Sequence, residues 1–342
     1  MIAHLPGSVL AAAFPPLAAP ALDALAALAI AVALDLAVAE PPRRVHPVAL
    51  FGSVVAGVDR AWSRPRLVGV AAAVLLPLAA AAVAGGTVAT AGALSVPVAG
   101  ALLFSLVSLR MLREVTAEVV ALTETDPDAA RESIRALVGR DAADLSPAAL
   151  RSAAVESAAE NLADGFVAPL AGFAGGATVG MALGGPGAAL PLGVAGAAWV
   201  KAVNTLDSML GYRSKPAGWA SARLDDAVMY LPARATAGCL ALAAGSGGAL
   251  SRARSWAREP ASPNSGWPMA TAAAALDVRL AKPGRYALNP DAEAPSVADA
   301  ERAVRLVGVA GGVAVAGTAG WLLAVGALLS GDWSLPSAGV VG

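Results

Sequence analysis

The chain has 342 residues, of which 57% are hydrophobic and 14% are charged. A water-exposed surface needs more charge than this, so the composition indicates an integral membrane protein rather than one or two soluble domains. The net charge of −1 offers no basic face to a phosphate backbone, which excludes DNA and RNA binding.

Apolar, largely uncharged runs predict six membrane-spanning helices, because crossing about 30 Å of hydrocarbon takes about 20 helical residues. The runs are 20–39, 67–84, 87–109, 166–184, 187–203 and 304–329. They are rich in Ala, Gly and Val, whose small side chains let helix backbones pack closely. We therefore predict an all-α, polytopic membrane protein whose single membrane-embedded domain covers residues 1–342.

A seventh run, 235–250, is short and interrupted by glycines, and the basic residues help to interpret it. All 24 Lys and Arg residues lie in 43–66, 110–151, 201–234 and 252–305. If 235–250 does not cross, all 24 lie on one side, which the positive-inside rule makes the cytoplasm. We predict a re-entrant or interfacial segment there, in a multi-pass protein of the cell membrane.

Two polar segments predict helices outside the spans, within a cytoplasmic helical insertion over 110–164. Asp126-Pro127 is a typical N-cap followed by an N1 proline, before a helix ending at Gly139. Ser146-Pro147 repeats the arrangement before a helix over 147–163.

Acidic residues follow one face of that second helix. Glu156, Glu160 and Asp164 recur at helical spacing with no basic residue between them. A solvated acidic face is the ordinary interpretation. However, the opposite face is mostly Ala and Ser, and the helix runs into a span. Such a triplet suits Mg²⁺, which takes carboxylate oxygens together with phosphates.

A second polar stripe lies where a span ends. Lys201, Asn204 and Asp207 share a helical face, and Arg223 and Asp226 follow downstream. Polar groups at membrane depth are costly unless they are paired or functional. Mutual neutralisation of Lys201 with Asp207, and of Arg223 with Asp226, is the alternative to a functional site.

Two Pro-rich loops complete the candidate segments. His46 lies in the first, after Glu40-Pro-Pro, and is one of only two histidines. Asn264 and Trp267 lie in the second, 262–268, whose Pro and Gly content predicts a turn. The chain has no phosphate-loop, dinucleotide-fingerprint, zinc-spacing or nucleophile-elbow motif, so a nucleotide site would be of another kind.

These segments, in this order over roughly residues 30–290, resemble the CobD/CbiB family, the adenosylcobinamide-phosphate synthases of cobalamin biosynthesis. The motifs that carry the resemblance are Asp35-Leu, Glu40-Pro-Pro-Arg43 with His46-Pro47, Val138-Gly139-Arg140-Asp141, the stretch from Val155-Glu156 to Asp164-Gly165, the stretch from Lys201 to Met209, Gly211-Tyr212-Arg213, the stretch from Gly218-Trp219 to Asp225-Asp226, Pro232-Ala-Arg234 and Ser262-Pro263-Asn264 with Gly266-Trp267-Pro268.

The resemblance implies an amide-forming ligase. Its substrates would be adenosylcobyric acid, through one corrin propionate, and aminopropanol phosphate or aminopropanol. A carboxylate does not condense with an amine in water, so ATP would activate it, with Mg²⁺ shielding the phosphates. The bilayer, other late cobalamin-pathway enzymes and further copies of the chain are the expected partners.

The resemblance also implies roles for residues of this chain. The catalytic candidates are Glu156, Glu160, Asp207 and Asp226, and the metal ligands would be Glu156, Glu160 and Asp164. Phosphates would be held by Arg140, Lys201, Arg213 and Arg223, corrin amides by Asn204 and Asn264, and the flat macrocycle by Trp219 or Trp267. His46 would accept a proton or contact the cobalt side, and the remaining substrate-binding candidates are Arg43, Asn161 and Tyr212.

Two other functions compete with this one. A transporter would distribute charges within its spans and show similar halves, whereas here the charges cluster at span ends and no repeated half is found. A scaffold that only recruits cobalamin enzymes would tolerate carboxylate substitutions without loss of chemistry.

Overall fold

The computed structural model describes residues 19–42, 44–136, 144–185, 187–212 and 215–330. These residues form fourteen α-helices and one small hairpin, and their bounds are α1 Ala19–Val38, α2 Pro47–Ala56, α3 Pro65–Thr90, α4 Ser95–Phe104, α5 Leu109–Thr125, α6 Pro127–Ser133, α7 Pro147–Leu162, α8 Ala168–Leu183, α9 Ala189–Leu210, α10 Trp219–Val228, α11 Tyr230–Ala243, α12 Gly247–Ala253, α13 Gly266–Leu276, β1 Leu280–Lys282, β2 Tyr286–Leu288 and α14 Val297–Leu329. A π-helical turn, Ala163–Val167, joins α7 to α8.

Six stretches of helix are long and apolar enough to cross a membrane, as the sequence predicts. They are Ala19–Val38, Pro65–Thr90, Gly92–Thr125, Pro147–Leu183, Ala189–Leu210 and Val297–Leu329. The third contains α4 and α5, and the fourth contains α7, the π-helical turn and α8. Residues 110–125 and 147–164 therefore belong to the same helical stretches as the third and fourth spans. The cytoplasmic helical insertion over 110–164 stays a prediction.

The predicted interfacial segment is a broken helix. α11 has 14 residues, about 21 Å of helix, and is too short for a hydrocarbon core of about 30 Å. It ends before Gly245, whose φ of +61° is easy only for glycine. The short apolar helix α2 adds a second element of this kind, which the sequence analysis does not identify.

Small residues set the closest helix contacts. A Cβ atom added to Gly172 of α8 would lie 2.6 Å from the carbonyl oxygen of Gly196 in α9, nearer than a carbon and an oxygen can approach. The α8 and α9 backbones thus touch directly, which confirms the close packing expected from the Ala and Gly content.

Both predicted helix starts are confirmed. The Asp126 carboxylate accepts a hydrogen bond from the Ala129 backbone N–H at 3.0 Å, and the Ser146 hydroxyl accepts one from the Ala149 N–H at 3.3 Å. These caps begin α6 and α7 at the expected prolines. The predicted end at Gly139 lies outside the described residues.

Asp35 has a structural task at the junction of α1 and α5. It is buried, and its two carboxylate oxygens accept hydrogen bonds from the backbone N–H groups of Leu109 and Arg110, each at 3.1 Å. The Arg110 guanidinium in turn donates to the Leu36 carbonyl at 2.7 Å. This clamp fixes the entry of α5, which forms one wall of the candidate site.

Candidate functional site

A polar cavity of about 850 Å³ lies where the first loop, α2, the α4–α5 connection, the π-helical turn and α9 meet. Three predicted substrate-binding residues, His46, Asn161 and Lys201, line it together with Glu40. The residues come from distant parts of the sequence, so the fold assembles a site that the order of the motifs alone could not demonstrate.

His46 is held by its own loop. Its Nδ1 accepts a hydrogen bond from the Val48 N–H at 3.2 Å, which caps α2 ahead of Pro47. Its Nε2 lies 3.8 Å from a carboxylate oxygen of Glu40. Burial, and then the positive charge of Lys201, lower the pKa of His46, while burial raises the pKa of Glu40. Near pH 7 the imidazole is therefore mostly neutral, and because Nδ1 accepts the Val48 bond, its proton is on Nε2, the nitrogen nearer to Glu40.

Lys201 extends from the middle of α9 into this cavity, and its charge interacts with Asp164 and Glu40. The acidic residues whose charge acts on Lys201 are therefore Asp164 and Glu40, and not Asp207 as the alternative interpretation supposes. Its charge also acts on His46, so Lys201 is the cation around which the cavity's polar groups are arranged.

Beside Lys201 lies an acidic cluster, formed by Asp164 of the π-helical turn, Asp207 of α9 and Asp225 of α10. The buried Asn204 side chain interacts with the carboxyls of Asp164 and Asp225. One oxygen of Asp207 and one of Asp225 are buried without a hydrogen-bond partner in the described part of the chain. Buried carboxylate oxygens left unpaired are expensive, which is typical of a functional site.

The charges of the cluster act on one another. Burial is the main cause that raises the pKa of Asp225 to about 8, and the negative charges of Asp164 and Asp207 add to it. Burial also raises the pKa of the neighbouring Asp226, and the positive charge of Arg223 opposes that rise. Asp225 is the residue of this cluster that the site prediction omits, although it directly precedes the predicted Asp226.

The π-helical turn explains why Asp164 joins this cluster. Its wider winding interrupts the α-helical register of α7, and the Gly165 carbonyl accepts a hydrogen bond from the Ser108 N–H at 3.1 Å. A Cβ atom on Gly165 would lie 3.1 Å from the Ser108 hydroxyl. The α5 entry thus packs directly on the turn, next to the residue that carries the carboxylate.

Glu156, at the other end of the same stripe, belongs to a different set of contacts, which we call the hairpin latch. Its carboxylate accepts hydrogen bonds from the Ser152 hydroxyl at 3.0 Å and from the Tyr286 hydroxyl at 2.6 Å. The Ser152 hydroxyl also accepts one from the Ala281 N–H at 2.9 Å. The latch therefore fixes the hairpin of β1 and β2 on α7.

The predicted metal triplet is not assembled. Among the described residues, no group of three His, Cys, Asp or Glu side chains is arranged to hold a metal ion. Glu156 contacts the hairpin, Asp164 interacts with α9, and Glu160 lies half-buried between them. The i, i+4, i+8 spacing assumes a regular α-helix, whereas Asp164 lies within the π-helical turn.

The second loop is held by an arginine that the site prediction omits. Arg234 lies 3.5 Å from the Tyr230 ring and 5.3 Å from the Trp267 ring, and it donates to the Asn264 side-chain oxygen at 2.9 Å. The Asn264 amide donates to the Asp226 carbonyl at 2.8 Å. Asn264 and Trp267 thus tie this loop to α10 and α11, and these bonds already occupy both ends of the Asn264 amide.

Three further predicted residues do not line the polar cavity. Tyr212, Trp219 and Arg223 are exposed, and Arg43, Arg140 and Arg213 fall outside the described residues. Tyr286 is the main contact residue that sequence reasoning missed. Its signal is the Pro283-Gly284 turn between two short runs, which pair antiparallel from Leu280 opposite Leu288 to Lys282 opposite Tyr286.

Comparison with known proteins identifies related chains. A family model described as "CobD/Cbib protein" matches residues 28–312. The cobalamin biosynthesis protein CobD of Rhodobacter capsulatus is 37% identical, over 82% of this chain and 92% of its own length. The protein of the same name from Mycobacterium tuberculosis is 38% identical, over 78% and 85% respectively. The probable cobalamin biosynthesis protein CobD of Methanothrix thermoacetophila is 34% identical, over 82% and 91%. No solved structure matches the chain.

Proposed function

Because the chain belongs to the CobD/CbiB family and is a membrane enzyme of cobalamin biosynthesis, we propose that it forms the amide bond of adenosylcobinamide phosphate. The acid would be a propionate of adenosylcobyric acid, and the amine would be aminopropanol phosphate or aminopropanol. The observation that supports this most directly is the juxtaposition of Lys201, His46 and Glu40 around one cavity, with the acidic cluster beside Lys201.

The cavity has the volume of an ordinary small-molecule site. A whole corrinoid is larger, so we propose that the cavity takes the amine and one propionate arm while the macrocycle stays outside. Trp219, which the resemblance assigns to the macrocycle, is exposed and is suited to cover a flat ring.

Each group has a task in amide formation. Lys201 would neutralise the charge of the bound carboxylate and of the phosphate that activates it. The acidic cluster would attract the substrate ammonium and orient it. The ammonium must lose one proton before its nitrogen can attack the acyl carbon, and a second as the amide forms. The Glu40 carboxylate, which lines the cavity 3.8 Å from Nε2 of His46, would accept the first proton, and the departing phosphate would carry the second. The acyl oxygen leaves with the activating phosphate.

ATP as the activating co-substrate and Mg²⁺ as its counter-ion are part of the proposal through the family resemblance. The described carboxylates do not form a three-ligand metal group, so the steps above involve only the chain's own residues. We further propose that the cavity faces the cytoplasm, where the one-sided distribution of Lys and Arg would place it.

The test is product formation by the full chain purified in detergent. Adenosylcobyric acid, aminopropanol phosphate, ATP and Mg²⁺ are supplied, and the product is identified by mass spectrometry. Lys201→Met keeps the length of the side chain but removes its charge, and we expect a loss of about 100-fold or more in rate.

Lys215→Met is the matched control, because Lys215 pairs with Asp59 at 2.6 Å outside the cavity. We expect the control to retain the wild-type rate. Wild-type turnover by folded Lys201→Met protein would remove Lys201 from the mechanism. Absence of product from the wild-type protein, with all substrates present, would contradict the proposed reaction.

A further inference from the structure

An apolar groove of about 380 Å³ adjoins the polar cavity and shares Lys201 with it, but has no other residue of the proposed chemistry in its lining. It runs between α2, α3 and α4, with a floor of small residues from α9, Ala198 and Ala202. Along α3 it extends from Leu76 to Thr87, about 16 Å at 1.5 Å per residue, which is about half of the hydrocarbon core.

The hydroxyl groups along the groove donate to nearby backbone carbonyls. Ser105 donates to the Leu102 carbonyl at 2.7 Å, Thr205 to the Lys201 carbonyl at 2.8 Å and Thr87 to the Val83 carbonyl at 2.8 Å. These bonds use the hydroxyl protons, and the rest of the groove lining is almost entirely apolar. Lys201, at the end shared with the polar cavity, is the one charged residue that lines the groove among the described residues.

The groove is open on the bilayer side. Three of its lining residues, Leu50, Val54 and Val83, are 54%, 56% and 71% exposed, and α3 and α9 are spans. The groove is thus continuous with the lipid-facing surface. It also opens into the polar cavity, since six residues line both spaces, namely Val48, Leu50, Ser105, Leu106, Lys201 and Thr205.

We propose that one acyl chain of a membrane phospholipid occupies this groove and closes the polar cavity on its bilayer side. The apolar lining, the length of about half a bilayer and the lateral opening all fit an acyl chain. Without such a chain, the polar cavity would open sideways into hydrocarbon. Lipid binding here is independent of the reaction proposed above, whereas closure of the cavity as a reaction site rests on that proposal.

Photolabelling tests the groove directly. The full chain is placed in vesicles of dioleoyl phosphatidylglycerol that contain a trace of the same lipid with a diazirine in its acyl chain, and crosslinks are mapped by mass spectrometry. We expect crosslinks to concentrate on residues 47–54 and 198–205. Labelling there no stronger than on the exposed face of α14, at Trp321 and Leu328, would overturn the proposal.

A matched pair of variants separates the groove from the general lipid-facing surface. Ala80 lines the groove, whereas Ala82 of the same helix is exposed outside it. We expect Ala80→Phe to reduce groove labelling about tenfold or more, the effect of excluding about two methylene groups, and Ala82→Phe to leave it unchanged. Equal labelling of the two variants would overturn the proposal.

Ala84→Phe fills the same groove and replaces Ala80→Phe if that variant does not fold. Adenosylcobyric acid is added in a further arm. Protection of Ala198 and Ala202, which line the groove but not the polar cavity, by the corrinoid would assign the groove to the substrate and overturn the lipid proposal. No arm requires turnover, so failure of the proposed reaction would leave the labelling result intact.

Discussion

The hairpin latch and the acidic cluster lie at opposite ends of one carboxylate stripe on α7 and the π-helical turn. At the first end, Glu156 is buried and accepts hydrogen bonds from Ser152 and Tyr286. At the second, Asp164 is grouped with Asp207 and Asp225. Asp207 and Asp225 each have one buried carboxyl oxygen without a hydrogen-bond partner in the described part of the chain. Satisfied carboxylates stabilise a fold, whereas unsatisfied ones store unfavourable energy that a bound cationic group can release.

The largest effect expected from this difference is on the rate of product formation in Asp207→Asn. The substitution removes a negative charge from the acidic cluster while keeping the side-chain shape, so we expect a rate lower by about 100-fold or more. The thermal midpoint should be unchanged or higher, because a buried carboxylate oxygen with no hydrogen-bond partner is lost. Product is followed by mass spectrometry and unfolding by a thermal melt in detergent.

Asp128→Asn is the control for this variant, because that side chain is 94% exposed and bonds only to Arg131 in the described chain. We expect a wild-type rate. If Asp207→Asn lowered the thermal midpoint and left the rate unchanged, Asp207 would be structural and the two ends of the stripe would be equivalent.

The sequence alone does not predict the difference between the hairpin latch and the acidic cluster. Apolar run length predicts the six spans, and the proline-linked caps predict the starts of α6 and α7, because both depend on neighbouring residues. The fate of Glu156 depends instead on Tyr286, which is distant in the chain, and that of Asp164 depends on a π-helical turn with no spacing signature. The sequence therefore identifies the carboxylate stripe but cannot show that Glu156 and Asp164 belong to different sets of contacts.

The pH dependence of stability should reveal the acidic cluster next. Burial raises the pKa of Asp225 to about 8, with the charges of Asp164, Asp207 and Asp226 adding to the rise and the Asn204 amide opposing it. Between about pH 4 and pH 8 the unfolded chain releases this proton while the folded chain keeps it, so stability falls as pH rises. Asp225→Asn should flatten that fall.

The measurement is the thermal midpoint of wild type and Asp225→Asn at a series of pH values through this window. Asp291→Asn, at an exposed position, should keep the wild-type slope. A wild-type slope in Asp225→Asn would show that this carboxyl is ionised in the folded chain, and the acidic cluster would lose its distinction from the latch.

The smallest effect, and the one that decides whether the latch is only structural, is expected from Tyr286→Phe. Removing the phenol hydroxyl leaves the Glu156 carboxylate without its 2.6 Å donor, a hydrogen bond to a charged group worth about 1.5–3 kcal/mol. We expect a lower thermal midpoint and faster hydrogen exchange in residues 280–288, with the rate of the remaining folded protein near wild type. Tyr212→Phe, at an exposed ring, should change neither the thermal midpoint nor the hydrogen exchange of residues 280–288. If Tyr286→Phe instead abolished product without loss of stability, the latch would set the ionisation of Glu156 for the reaction, and the stripe would form one site whose ends act together.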